Sequence, residues 1–205
     1  MGMAAWLMLL AGVSAGGTWL GLVYARRHKL IDQPGERRSH SVPTPRGGGI
    51  GITVALLFAC VMGGWMGVAG PAPLLGFAVG LLLVAGIGWV DDHCPLSPLL
   101  RLLVQGLAGV LLAWGLHGVE ERWGWAVLTA LSVPVLVNVW NFMDGINGLA
   151  SSQAVLAAVA FAWLVPAVAY PALALAAATA AFVPYNFPKP RIFLGDVGSG
   201  TLGYA

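Results

Sequence analysis

The sequence predicts an all-α polytopic membrane protein with seven complete transmembrane helices, the start of an eighth, and its N-terminus outside. Three observations carry that expectation. First, 59% of the 205 residues are hydrophobic before 29 glycines are counted, and only 9% are charged. Soluble domains carry roughly 25% charged residues and need a wettable surface that this composition cannot supply. Second, the charges are bunched, leaving uncharged stretches at 2–25, 47–90, 102–119, 123–142 and 148–188. Third, nine of the ten Lys and Arg residues lie in or beside alternate loops, at 26–47, 91–100, 142–150 and 186–196, with Arg122 the exception. Basic loops stay cytoplasmic, which fixes the expected orientation.

Each element follows in order. The stretch 2–25 is one span; no basic residue precedes it, so it reads as an anchor and not as a cleavable signal. The stretch 47–90 is interrupted at Gly70, Pro71 and Pro73 and reads as two spans of about 20 residues each. Stretches 102–119 and 123–142 are single spans. The stretch 148–188 breaks near Pro166 and Pro171, again giving two, and its Ala-rich part at 172–181 suits close helix packing. An eighth helix begins near Asp196. The whole is a single membrane-embedded domain, 1–205. Two cysteines exclude a disulfide framework, and His93 with Cys94 lacks the second Cys/His pair that a zinc site needs.

The even loops are chemically poor, whereas the odd loops hold every Asp, so function is sought there. Loop 26–49 combines Arg37, Arg38 and His40 with Pro43, Pro45, Arg46 and the run Gly47, Gly48, Gly49. A basic loop after a first span is ordinary topogenic charge; it is equally an anion clamp, in which Arg and exposed backbone amides meet phosphate oxygens. Asp91 and Asp92 close the third span. Adjacent carboxylates repel, so a hard divalent cation between them, or one of them acting as a general base, gives the pair a purpose. Asn138, Asn141, Asp144 and Asn147 recur every three residues. On a continuing helix they form a polar stripe, which is either inter-helix glue or part of a site. Finally, Asn186 precedes Phe193, Gly195, Asp196, Gly198, Ser199 and Gly200. That segment offers a metal-ligating carboxylate beside open backbone, and a ring on which a base can stack. Phosphate clamps, clustered Asp and a stacking ring on one membrane face suit a nucleotide-diphosphate substrate.

Asp91-Asp92, Asn141-Phe142-Met143-Asp144-Gly145 and Phe193-Leu194-Gly195-Asp196-Val197-Gly198-Ser199 resemble, in order, the signatures of the polyprenyl-phosphate N-acetylhexosamine-1-phosphate transferases, glycosyltransferase family 4. The loop from Pro43 to Gly49 is more similar to the O-antigen and lipopolysaccharide-initiating branch than to the peptidoglycan branch. The resemblance implies transfer of sugar-1-phosphate from a UDP-N-acetylhexosamine to undecaprenyl phosphate, with release of UMP. It places the active site on the cytoplasmic face of the bacterial inner membrane. It implies Mg²⁺, with Mn²⁺ as the substitute ion, held by Asp196 and Asp92. Asp91, Asp92 and Asp144 are the implied catalytic carboxylates, with Asp91 deprotonating the lipid phosphate. Asn138, Asn141, Asn147, Asn186 and Phe193 are implied for the nucleotide sugar, Phe193 by stacking on uracil. Arg38, His40, Arg46, Gly47 and Gly48 are implied for the lipid phosphate. The lipid bilayer and a homodimer complete the implied partners; no nucleic acid is among them. Two departures stand out. Asn147 occupies a position that is often Asp, and family members run well beyond this length with a late His-containing loop. An incomplete C-terminus is therefore expected, with an inactive membrane fragment as the alternative and a multi-span transporter, which would place ionisable residues within spans, behind it.

Overall fold

A computed structural model of the chain describes residues 2–33, 42–118 and 123–205. Arg38 and His40, expected in the phosphate clamp, and the Glu120-Glu121-Arg122 trio lie outside the described residues. Among the described residues there are eight α-helices: α1 (Met3–Arg27), α2 (Ile50–Trp65), α3 (Pro71–His93), α4 (Pro98–His117), α5 (Trp123–Met143), α6 (Leu149–Leu164), α7 (Ala169–Asn186) and α8 (Gly195–Tyr204). Where the sequence predicts seven complete spans, five stretches among the described residues are long and apolar enough to cross a membrane, namely α1, α3, α4, α5 and residues 166–186, whereas α2 and α6 have 16 residues each. A 3-10 turn, Pro166–Val168, supplies the break between α6 and α7, and Pro171 sits inside the first turn of α7. Two short strands, β1 (Ile31–Asp32) and β2 (Thr44–Pro45), pair antiparallel between α1 and α2, with Ile31 opposite Pro45.

Proline and serine set several boundaries. Pro71 and Pro98 occupy first helical turns, where a missing N–H costs nothing. The Ser97 hydroxyl accepts the Leu100 N–H at 3.3 Å and caps α4. Pro134 lies inside α5 and leaves the Ala130 carbonyl without its helical donor. Gly109 of α4 lies so close to that carbonyl that a methyl group on it would stand 2.3 Å from the oxygen.

Packing is organised around α8. It lies against α3 and α5 and also meets α2, while α1 packs on α2 and α7, α4 bridges α3 and α5, and α6 packs on α7. Every residue of α8 from Val197 to Tyr204 is buried. Small residues make this possible. A methyl group on Gly88 would stand 2.4 Å from the Asp196 carbonyl oxygen, one on Gly80 would stand 2.1 Å from the Tyr204 hydroxyl, and one on Gly49 would stand 2.1 Å from the Gly198 Cα. Close backbone approach of this kind is how helices associate where apolar burial gives no net drive. Ala174, Ala176 and Ala178 of α7 are buried, as the Ala-rich segment implied. Polar ties reinforce the contacts: Ser14 Oγ donates to the Ala178 carbonyl at 2.6 Å, Thr53 and Thr201 share a hydroxyl bond at 2.7 Å, and the Tyr204 hydroxyl reaches the Gly76 and Phe77 carbonyls at 3.1 Å each.

Candidate active site

The ends of α1, α3, α5 and α7 meet the starts of α2, α4, α6 and α8 on one face of the bundle, and the Asp residues gather there. Asp91 and Asp92 lie on the last turn of α3, both buried. Consecutive helical positions point about 100° apart, so the two carboxyls face different partners. Asp92, 1% exposed, turns to the start of α8: its Oδ1 accepts the Asp196 N–H at 3.1 Å and its Oδ2 the Val197 N–H at 3.2 Å. A helix N-terminus presents free N–H groups and a partial positive charge, which is where a carboxylate settles. Arg46 adds to this from β2's end, donating from its guanidinium to the Asp92 main-chain carbonyl, with Nε 3.8 Å from Asp92 Oδ1.

Asp91 faces the other way. Its Oδ1 accepts the Leu96 N–H at 2.6 Å and its Oδ2 is 2.8 Å from Arg101 Nη1 on α4. Asp92 and Asp196, the expected metal ligands, meet at the start of α8, where the Asp92 carboxylate accepts the Asp196 N–H. Asp196 further accepts a hydrogen bond from Asn141 Nδ2, and Asn141 also reaches Ser199 Oγ at 3.3 Å.

The polar stripe of α5 is split. Asn138 and Asn141 share a helical face, where Asn138 Nδ2 donates to Gln105 Oε1 of α4 at 3.0 Å and to the Pro134 carbonyl at 2.7 Å. The helix ends at Met143, so Asp144 and Asn147 stand in the turn that follows. That turn closes at Gly148, whose φ of +76° suits a residue without Cβ. Burial, then the nearby Asp196 and Asp92 carboxylates, push the Asp144 carboxyl well above the usual carboxylate range, against a main-chain hydrogen bond from Gly195.

The remaining expected residues serve as ties. Asn186, 3% exposed, accepts the Gly148 N–H at 2.7 Å and donates to the Ile192 carbonyl at 3.2 Å, so its amide joins the α5–α6 turn to the α7–α8 loop. Gly48 N–H donates to the Phe193 carbonyl and Gly49 N–H to the Leu194 carbonyl, each at 2.9 Å. The amide of Gly48 is thus engaged by protein, not presented to a phosphate, and the glycine run serves close packing against α8. Phe193 is half-buried, its N–H donating to the Pro45 carbonyl at 2.8 Å.

Between α3, α4, α5 and α8 lies a cleft lined by Arg101, Gln105, Asn138, Asn141, Asp196 and Ser199 over walls of Val84, Ile87 and Val137. Compared with known protein families, residues 74–205 match Glycosyl transferase family 4. The chain belongs to Glycosyl transferase family 4. Relatives of this family-4 chain include a probable undecaprenyl-phosphate N-acetylglucosaminyl 1-phosphate transferase of Bacillus subtilis, 30% identical over 85% of this chain and 53% of that protein. A decaprenyl-phosphate N-acetylglucosaminephosphotransferase of Mycobacterium leprae is 29% identical over 96% of the chain and 58% of its own length. A phospho-N-acetylmuramoyl-pentapeptide-transferase of Synechococcus elongatus is 34% identical over 79% and 52%. The chain therefore spans about half the length of the curated relatives it matches.

Sequence reasoning missed two residues that line the cleft of this family-4 chain, Arg101 and Gln105. The signal for Arg101 was a lone cation on the Asp face, ten residues after Asp91. Gln105 follows it by one helical turn and so shares its face. Ser199, read as part of the segment that follows Asp196, reaches the cleft from α8.

Among the described residues no group of three or more His, Cys, Asp or Glu side chains converges as a ready-made metal cage. Mg²⁺, however, is commonly held by one or two carboxylates and completed by substrate phosphates and water. Asp92 and Asp196, which meet at the start of α8, fit that mode.

Proposed function

We propose that the chain belongs to an enzyme transferring N-acetylhexosamine-1-phosphate from a UDP-sugar to undecaprenyl phosphate at the cytoplasmic face of the bacterial inner membrane, releasing UMP and starting synthesis of an envelope polysaccharide of the O-antigen/lipopolysaccharide type. The observation that carries it is the gathering of four carboxyls at one end of the bundle: Asp92 on the amides that open α8, Asp91 on Arg101, Asp196 on Asn141, and Asp144 in the turn after α5. The names of the relatives support the polyprenyl-phosphate and amino-sugar parts of the reading. The Pro43–Gly49 resemblance supports the branch.

The chemistry joins two anions. An oxygen of the lipid phosphate bonds to the sugar-bearing phosphorus, the bridging P–O bond breaks, and UMP leaves with the electron pair. Mg²⁺ held by Asp196 with Asp92 would neutralise the diphosphate and the developing charge on the leaving phosphate. Arg101 and Arg46 supply further positive charge at fixed positions. Asp92, by capping α8, fixes where the Asp196 backbone stands, and Asn141 orients its carboxyl. Asp91, paired with Arg101, is the carboxylate we assign to take the proton of the lipid phosphate. Asp144 and Asn147 stand where a nucleotide sugar approaches, with Asn138 and Asn141 behind them.

The test is an assay of membranes carrying the protein with undecaprenyl phosphate and radiolabelled UDP-N-acetylhexosamines. A Mg²⁺-dependent lipid-linked product is expected, reduced at least about 100-fold in Asp196→Asn and Asp91→Asn. No product from the wild type, or full activity in Asp196→Asn, overturns the reading.

A further inference from the structure

The last turn of α3 bears both Asp91 and Asp92, yet it is a helix end: His93 is its final residue and Cys94 is extended. Helix ends fray, whereas working carboxylates must hold their places to within about half an ångström. On one side the turn is tied to α8 by Asp92. The opposite side meets α1, and there the contacts are equally specific.

His93 Nδ1 lies 2.8 Å from the Trp89 carbonyl, one turn back, and Nε2 lies 3.0 Å from the Tyr24 hydroxyl of α1. A carbonyl only accepts, so Nδ1 carries the hydrogen and donates to it, while Nε2 shares a hydrogen bond with the Tyr24 hydroxyl. One imidazole thus occupies a terminal carbonyl of α3 and fastens that terminus to a different helix. Aromatic packing surrounds the bridge. Tyr24 stacks on His28 with centroids 4.3 Å apart and lies 5.2 Å from Trp89, which is itself 4.8 Å from His93. Trp89 also borders Gly47: a methyl group there would stand 3.8 Å from the indole and 4.0 Å from Asp92 Oδ2. The cluster therefore abuts the Arg46–Gly47 segment that holds Asp92.

We propose that Tyr24 and His93 are positioning residues that clamp the carboxylate-bearing turn of α3 to α1. Neither touches a reacting atom in this arrangement; they act through the backbone of Asp91 and Asp92. The catalytic consequence rests on the transferase reading above, but the clamp itself does not.

Two measurements on the protein in lipid nanodiscs separate them. Hydrogen exchange of residues 89–96 reads the clamp directly, and steady-state transfer kinetics read its use. Tyr24→Phe removes one oxygen and keeps the ring; His93→Phe removes both bonds. Loss of one hydrogen bond is expected to speed exchange of this turn roughly three- to tenfold. The same variants are expected to lower kcat by a similar factor with KM changed less than about twofold. His93→Gln, which keeps an acceptor for Tyr24, is expected to restore most of both. Tyr170→Phe, a hydroxyl at the opposite end of the bundle, is expected to change neither. Unchanged exchange in Tyr24→Phe overturns the clamp whatever the activity. Faster exchange with unchanged kcat overturns its role in positioning. A wild type without transfer activity overturns the functional reading and leaves the exchange result to decide the clamp.

Discussion

Asp144 carries a charge state set by its surroundings. Its carboxyl titrates above the usual range because of burial and the Asp196 and Asp92 charges. The sign of the effect on stability follows. A folded-state pKa above the unfolded value of about 3.9 contributes stability that is complete below that value and is lost as pH rises through the folded pKa. In the absence of divalent cations, the midpoint of thermal unfolding in detergent is expected to fall as pH rises from about 4 towards neutrality. Asp144→Asn is expected to melt higher than the wild type at pH 7 without cation, with the difference closing near pH 4; a mutant that melts lower at both pH values contradicts this. At this scale the sequence marked the carboxylates well but not their pairing. Adjacent Asp91 and Asp92 read as a pair that shares a cation or supplies a general base, whereas the 100° helical step sends one to Arg101 and the other to the amides of α8. Arg101 escaped notice because a lone cation beside a predicted span is indistinguishable from topogenic charge until its partner is placed.

Among the elements, α8 decides the geometry of the site, and glycine decides α8. The Gly49–Gly198 and Gly88–Asp196 approaches leave no room for a methyl group. Gly49→Ala is expected to destabilise the fold by about 1–3 kcal/mol through overpacking, seen as a lowered melting temperature of roughly 2–4 °C per kcal/mol. Gly86→Ala, on the exposed face of α3 with nothing within 4 Å, is the matched control and is expected to be neutral or slightly stabilising. Equal melting of the two variants would contradict the packing argument. Helix existence was legible in the spacing of charges and in Pro and Gly. Helix length was less so: Asp91 and Asp92 look like loop residues by hydropathy but continue α3, and Arg101 looks like a loop residue but lies in α4's first turns. Charged side chains at a membrane boundary do not end a helix; they mark where it leaves the lipid. Conversely, the three-residue recurrence from Asn138 to Asn147 suggested one long stripe, and Gly145 with Gly148 broke it.

Across the whole molecule, the alternation of basic and neutral loops predicts an orientation that a single thiol can report. Cys94, exposed just after α3 on the Asp face, is expected to react with a membrane-impermeant maleimide in inverted vesicles and to be protected in right-side-out ones. The reverse pattern would turn the bundle over and place the site on the wrong side for a nucleotide sugar. The family was readable from ordered motifs because its signature residues stand together at helix ends on one face of the bundle. Which helices touch was not readable, since lipid-facing and protein-facing surfaces are almost equally apolar; only the glycines hinted at it. One further consequence concerns how the site comes into being. Asp92 of α3 binds the amides that open α8, and Asn141 of α5 holds the Asp196 carboxyl. Three helices far apart in the chain must therefore dock before the carboxylates stand together, so formation of the site reports tertiary packing and not the insertion of any single helix.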